Sequence, residues 1–378
     1  MVTVNNAGAA IAAAKIVVLK VGSALLVDEE SNAINAKWLA GIATDIAALR
    51  AQGKSVIVVS SGAIALGNRA LGMAGAATQL EEKQAAAAAG QVVLAHAWME
   101  ALAEHDIRTA QILLSPEDTE TRRRHLNARA TIRTLIGLGA VPVVNENDTV
   151  ATSEIRFGDN DRLAARVGAM ISADMLVLLS DVDGLYTANP RDDATAEHLA
   201  DIYRIDSSVL QMAGTANASY ASGGMVTKLE AARIATGAGC AMLICDGRTM
   251  GPLRALEDGA RSTLFHAEAS PLAARKQWIA GALSPKGSVT VDEGAANAMK
   301  QGRSLLPAGV VAIEGEFDRG DLINVRDQHG LVIGHGLSAY SAHDATRIRG
   351  HKSREIEALL GYRGRDELVH ADNLVMVE

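Results

Sequence analysis

Residues 140–161 read AVPVVNENDTVATSEIRFGDND. The opening run, Ala140 to Val144, is short, apolar and rich in valine, the pattern of a strand buried on both faces of a parallel sheet. The seventeen residues that follow, Asn145 to Asp161, hold five carboxylates, three asparagines and one cation. In open α/β sheets ligands bind beyond the carboxyl ends of the strands, so polar side chains gathered there point to a site. A solvated acidic loop has the same composition, and the residues of this stretch alone divide evenly between the two readings.

Similar β-branched runs recur at Ile16 to Leu19, Val56 to Val59, Ile112 to Leu114, Met175 to Leu179 and Met242 to Cys245. Between them lie stretches rich in Ala, Leu, Arg and Glu: Ala36 to Gln52, Lys83 to His105, Arg124 to Leu138, Asp161 to Ile171 and Met225 to Ala238. Strands alternating with helices predict an α/β domain, a mostly parallel sheet covered by helices on both faces. After Ala282 the pattern changes to short strand candidates separated by glycine turns: Ser288 to Asp292, Gly309 to Glu314, Leu322 to Arg326, Leu331 to Gly336 and Leu374 to Val377, with a helical piece near Ser353 to Leu360. The expected organisation is a flexible N-terminal tail over 1–14, an α/β domain over 15–282, and a linker with a small mainly-β domain over 283–378.

Each strand of the first domain runs out into something polar or glycine-rich. Lys20, Gly22 and Ser23 end the first, where the lysine either meets a ligand or faces solvent. The second leads through Ser60, Ser61 and Gly62 into small residues whose backbone N–H groups, at a helix start, suit an anion. Ser180, Asp181, Asp183 and Gly184 follow the fifth, and the same residues make an ordinary tight turn. The run Ser222-Gly223-Gly224-Met225-Val226-Thr227-Lys228 either lets the backbone approach a polyphosphate, with a lysine on the first turn of the next helix, or is a plain flexible glycine loop before a helix. It is not a Walker A sequence, which occurs nowhere in the chain. Two lysines near glycines, several aspartates and free backbone donors are equipment for phosphoryl transfer by positioning and charge stabilisation.

Composition narrows the classes. The chain has 378 residues, 48% of them hydrophobic, enough for two packed domains. A net charge of −8 and 3% aromatics argue against a chain built to neutralise phosphate backbones or stack bases. Residues 286–378 carry 11 Lys and Arg against 14 Asp and Glu, leaving only the group Arg347, Arg349, Lys352 and Arg354 for RNA contact. The ten histidines are scattered, Cys240 and Cys245 read as small buried residues, and no metal cluster or hydrolase triad emerges. The start lacks the basic region of a secretory signal, no span suits a membrane, and a cytoplasmic protein is expected.

The segments VLKVGS (18–23), VVSSGAIALG (58–67), LNARATI (126–132), VPVVNENDTVATSEIRFGDND (141–161), LLSDVDGLYTANP (178–190) and SGGMVTKLEAA (222–232) occur in one order. On these the chain resembles the glutamate-phosphorylating members of the amino acid kinase family, which carry a carboxy-terminal PUA domain; VDEGA at 291–295 opens the PUA-like part. The resemblance implies a three-layer αβα sandwich and ATP-dependent phosphorylation of the side-chain carboxylate of L-glutamate, the first step of proline biosynthesis. ATP and Mg²⁺ are the implied cofactors, the ion held mainly by the ATP phosphates rather than by protein ligands. It places Lys20, Lys228 and Asp161 at the phosphoryl group, the aspartate holding both lysines in register. Ser61, Gly62, Asp148, Asn160 and neighbouring Asn145 fall at the glutamate. Lys20, Ser180, Asp181, Ser222, Gly223, Gly224, Met225, Val226, Thr227 and Lys228 fall at the nucleotide. A homotetramer and feedback inhibition by proline are further family traits, while RNA binding by the PUA-like part has no support in the sequence beyond the four basic residues. The competing expectations are another kinase of the family, acting on acetylglutamate or aspartate, and an RNA-binding protein.

Overall fold

The structure, a computed structural model, describes residues 6–28, 31–73, 77–150, 160–213, 224–281 and 284–377. By internal contacts the chain forms two compact units, Met1–Pro271 and Leu272–Glu378.

The first unit is built on β1 (Ile16–Val21), β2 (Ser55–Ser60), β3 (Thr109–Leu114), β4 (Val141–Glu146), β5 (Met175–Ser180), β6 (Leu185–Tyr186), β7 (His198–Leu199), β8 (Asp201–Ile202), β9 (Ala241–Asp246) and β10 (Ser262–Phe265). Eight of these make one sheet in the order β3-β4-β2-β1-β5-β9-β10-β8, while β6 and β7 pair separately. The pairings from β3 to β9 are parallel, β10 runs antiparallel to β9, and β8 is parallel to β10. The central strand β1 is covered on both faces, and its alternation sorts the core. Val17, Leu19 and Val21 join one apolar cluster and Val18 joins the other. Lys20 shares the side of Val18, the side packed by helices Asn160–Ile171 and Met225–Gly237. The chain passes from β1 to β2 on one side and from β4 to β5 across to the other, so a crevice opens at the carboxyl ends of these central strands.

One close helix contact shapes this end. A Cβ at Gly90 would lie 1.8 Å from the Ala63 carbonyl oxygen, and one at Gly67 1.7 Å from that of Ala86. Helices Ala63–Ala70 and Leu80–Ala103 therefore meet backbone to backbone, which only glycine allows.

Two expectations are corrected. Residues 6–13, read as part of a loose tail, form a helix whose Ala7 and Ile11 are buried in the core. The Lys54 ammonium donates to the carbonyls of Ala12 and Ala14 at 2.6 and 2.8 Å, satisfying acceptors at the end of that helix. Helix Pro271–Gly281, assigned by sequence to the first domain, packs with the second: Ile279 is buried with Leu322 and Leu337, and the Arg275 guanidinium donates to Asn373 Oδ1 at 2.8 Å.

The second unit holds β11 (Gly287–Val291), β12 (Val310–Gly315), β13 (Leu322–Arg326), β14 (Val332–Leu337) and β15 (Leu374–Met376) in the order β12-β11-β13-β14-β15. Only β11 and β13 are parallel. Its own core includes Val289, Phe317, Ile323, Tyr340 and Ile348. The expected helical piece near 353–360 is present as a 3₁₀ turn, Ser353–Glu355, followed by helix Ile356–Leu360.

Candidate active site

Lys20 is the last charged residue before the crevice on β1, and Asp161 opens helix Asn160–Ile171 behind it. Lys20 Nζ lies 2.6 Å from Asp161 Oδ1, and Lys228 Nζ, from the first turn of helix Met225–Gly237, lies 3.3 Å from Asp161 Oδ2. All three are buried, Asp161 at 1% exposure. Burial pushes the Asp161 carboxyl upward, but the charges and hydrogen bonds of the two lysines outweigh it and hold the group below the usual carboxylate range. One carboxylate thus fixes two ammonium groups at the end of a sheet, leaving a surplus of positive charge for an anionic ligand.

Asn160, one residue earlier, faces a different set. Its Nδ2 donates to Ser61 Oγ at 2.6 Å and to Asn145 Oδ1 at 3.1 Å, and Asn145 Nδ2 donates in turn to Gln91 Oε1 at 2.8 Å. Asn160 Oδ1 is buried with no hydrogen-bond partner among the described residues. Gly62 takes φ +112° and caps helix Ala63–Ala70 with no side-chain cap, so the first N–H groups of that helix face the crevice end of β2. Beneath them the Trp98 indole N–H donates to Ser60 Oγ at 3.0 Å.

Asp148 follows β4 in a single 3₁₀ turn and is 9% exposed. Burial, reinforced by the charge of Glu146, pushes its carboxyl up from 3.8 to about 7. A buried carboxylate that resists ionisation is primed to gain from a cationic ligand.

On the other side of β1 the ends of β5 and β9 open a cleft of about 640 Å³ lined by Asp181, Asp183, Tyr186, Asn189, Met225 and Arg248, among others. Ser180 Oγ donates to Asp181 Oδ1 at 3.1 Å. Arg248 holds Asp246 through two bonds, at 2.9 and 2.7 Å, and Arg261 anchors the Tyr186 hydroxyl at 3.0 Å. Thr227 Oγ1 donates to the Gly224 carbonyl at 2.8 Å and lies 3.3 Å from Asp161 Oδ2, linking the glycine turn to the lysine cluster. Val226 is exposed beside it. Among the described residues no group of three or more His, Cys, Asp or Glu side chains is arranged to hold a metal ion.

The structure therefore brings together Lys20, Asp161 and Lys228, and separately Ser61, Asn145 and Asn160, with Gly62 and Asp148 at the same strand ends. Asp181 and Met225 line the cleft, and Ser180 reaches it only through its hydrogen bond to Asp181. Ser222 and Gly223, with Glu154 and Arg156 of the acidic loop, lie outside the described residues. Sequence reasoning passed over three contributors. Asp246 ends β9 with Arg248 just beyond, as Ser180 ends β5 with Asp181 just beyond, so the strand-end rule was sufficient to find them. Gln91 sits in mid-helix, marked only as a polar interruption of an alanine-rich run.

Buried lysines fixed on one aspartate at the carboxyl edge of a parallel sheet define a group-transfer enzyme that works on phosphoryl charge. Residues 15–246 match the amino acid kinase family and residues 287–360 match the PUA domain. The chain belongs to the amino acid kinase family. It is 57% identical over 366 residues to glutamate 5-kinase of Paramagnetospirillum magneticum, covering 97% of this chain and 99% of that one. It is also 55% identical to glutamate 5-kinase of a Ruegeria species, over 97% of this chain and all of the relative, and 57% identical to that of Caulobacter vibrioides, over 96% and 97%.

Proposed function

We propose that this protein transfers the γ-phosphoryl group of ATP to the side-chain carboxylate of L-glutamate, giving L-glutamyl 5-phosphate and ADP in the first step of proline biosynthesis. The observation that carries the proposal is the adjacency of Asn160 and Asp161. At the start of one helix, one side chain joins the amide and hydroxyl set while the next joins the two lysines. Acceptor and donor sites are thereby fixed to the same rigid element, which is what in-line transfer between two bound substrates requires.

In this reading a glutamate carboxylate oxygen attacks the γ-phosphorus, and the bond to the oxygen bridging the β- and γ-phosphates breaks. Lys20 and Lys228 neutralise the charge that builds on the transferring group and on the departing ADP, and Asp161 keeps both ammonium groups in place. The Ser61 hydroxyl and the N–H groups that follow Gly62 receive a substrate carboxylate, while Asp148 and Asn160 Oδ1, unpaired among the described residues, receive the α-ammonium. Ser180, Asp181 and the Gly224–Lys228 turn line the nucleotide. Mg²⁺ would be carried chiefly by the ATP phosphates, beside Asp181 and Asp183, and would supply further neutralisation of phosphate charge.

A buried carboxylate at Asp148 favours an amino acid with a free ammonium over acetylglutamate, whose nitrogen is acylated and uncharged. Aspartate is one methylene shorter. The family likeness extends the proposal to a homotetramer, to feedback inhibition by proline and to a cytoplasmic location; no helix among the described residues is long and apolar enough to cross a membrane. For RNA contact by the second unit the sequence offers the local set Arg347, Arg349, Lys352 and Arg354, all exposed, of which Arg347 is already committed to the Leu359 carbonyl.

The test is ADP formation with glutamate, ATP and Mg²⁺, with hydroxylamine trapping the acyl phosphate as a hydroxamate. Turnover of acetylglutamate or aspartate with none of glutamate would overturn the substrate assignment. A proline titration of the glutamate saturation curve tests the feedback assignment.

A further inference from the structure

We propose that Gln91 is a positioning residue that sets the hydrogen-bond polarity of the substrate site, and with it the preference for an amino acid over its deaminated analogue. The inference rests on the glutamate reading above and names what makes one face of that site an acceptor.

The chain Gln91–Asn145–Asn160–Ser61 consists of three primary amides and a hydroxyl, all buried or nearly so. A primary amide has one acceptor end and one donor end, so each link dictates the next. Gln91 Oε1 accepts, which makes Asn145 present its Nδ2 to Gln91 and its Oδ1 to Asn160. Asn160 must then give its Nδ2 to Asn145 and Ser61, and its buried Oδ1 is left without a partner among the described residues, an acceptor for a substrate ammonium in this reading. Ser61, having accepted, keeps its hydroxyl proton for a substrate oxygen. With every amide turned over, the same heavy atoms would satisfy an opposite chain, in which Ser61 donates inward and Asn160 offers an N–H to the site. That site would repel an ammonium group and would have no hydroxyl donor for a carboxylate. Gln91 stands at the end of the chain remote from substrate, and its Oε1 is the acceptor from which the sense of the relay runs.

Gln91 has its place on its helix fixed by its neighbour. It follows Gly90, which lies against the Ala63 carbonyl so closely that no side chain fits. The backbone contact between the two helices therefore sets Gln91 and the anion-facing end of helix Ala63–Ala70 relative to one another.

The experiment compares Gln91→Met, of similar length with no oxygen acceptor, and Gln91→Glu, which offers Asn145 an acceptor oxygen in either protonation state, in the full-length protein. Steady-state kinetics are measured with glutamate and with ATP varied in turn, together with inhibition by glutarate, which lacks the ammonium. Loss of one buried hydrogen bond corresponds to roughly a 5- to 150-fold effect. The expected result is that Gln91→Met raises KM for glutamate ~10-fold or more, with KM for ATP within ~3-fold of the unmodified protein and the glutarate inhibition constant raised clearly less than KM for glutamate, since glutarate shares the loss of the hydroxyl donor but has no ammonium to lose its acceptor. Gln91→Glu is expected to restore KM for glutamate to within ~3-fold. Equal losses for glutamate and glutarate, an unchanged KM in Gln91→Met, or a Gln91→Glu variant as impaired as Gln91→Met would overturn the inference. Should Gln91→Met not fold, the Gln91→Glu arm decides alone, a ~10-fold rise in glutamate KM being the adverse result. Failure of the underlying substrate reading is distinguishable, because unmodified protein would then form no ADP with glutamate.

Discussion

Replacing Asp148 by Asn should make the protein more stable and worse at its task. The Asp148 carboxyl is pushed up from 3.8 to about 7 by burial and by Glu146. A group whose folded value exceeds its unfolded value by that much is a penalty on folding. It is absent below pH 4, grows as pH rises toward 7, and is complete above it, where it amounts to ~4 kcal/mol. Asp148→Asn has nearly the same shape and cannot ionise. At pH 8 it should exceed the unmodified protein in stability by roughly 2–4 kcal/mol, read as a higher urea midpoint, with the gap shrinking steadily as pH falls from 7 to 4. The same substitution removes the counter-charge for the substrate ammonium, worth ~2 kcal/mol or more for a desolvated pair, so KM for glutamate should rise at least ~30-fold. In the unmodified protein, KM for glutamate should fall as pH rises through about 7, because the ionised form is the one that binds, and the variant should lack that dependence. Equal stability of the two proteins across pH 4–8, together with an unchanged KM, would refute the reasoning at both ends.

Lys228→Ala should reduce kcat by ~10²- to 10³-fold, the loss expected for one donor to the transferring charge, with the fold retained because Asp161 keeps its contact with Lys20; turnover at the original rate would remove Lys228 from the mechanism. Asp161→Asn leaves two buried ammonium groups without their anion and should cost ~3–5 kcal/mol of stability in a urea titration at pH 7. Because the Asp161 carboxyl is held below its usual range, the stability it contributes is present above pH 4 and lost as pH falls further, so the variant and the parent should converge in acid. Truncation after Pro271, where the compact units divide, should leave glutamate-dependent ADP formation in place; loss of turnover in a folded truncate would assign the second unit a part in catalysis.

The parallel sheet was legible because strands buried on both faces read as uninterrupted β-branched runs, and β1, β2, β4, β5 and β9 each lie within one or two residues of the expected span. The two-residue strands β6, β7 and β8 are too short to show any period, and β10, at four residues, is scarcely longer. Helix Asn6–Ala13 escaped because its apolar face is mostly alanine, and the group that stabilises its end, Lys54, is distant in sequence. Lys20, Asp161 and Lys228 are separated by some two hundred positions, so their meeting at one carboxylate follows from the order of strands rather than from any spacing. Family likeness brought them together on paper; residue patterns alone did not. Gln91 had neither advantage, since a polar residue inside an alanine-rich helix carries no mark of what it will touch.

Of the three tryptophans in the chain, two hold the crevice from opposite sides. Trp38 donates to the Gly247 carbonyl, between Asp246 and Arg248 at the mouth of the cleft, and Trp98 donates to Ser60 beneath the amide chain. Each indole is almost wholly shielded from water and bound at a single polar point to the half it supports. Two of the three intrinsic indole fluorophores are thus placed to report on the substrates, one on each. With Trp38→Phe and Trp98→Phe as references, quenching by nucleotide should follow the first and quenching by amino acid the second, so the order of ligand arrival can be timed optically without attaching a label.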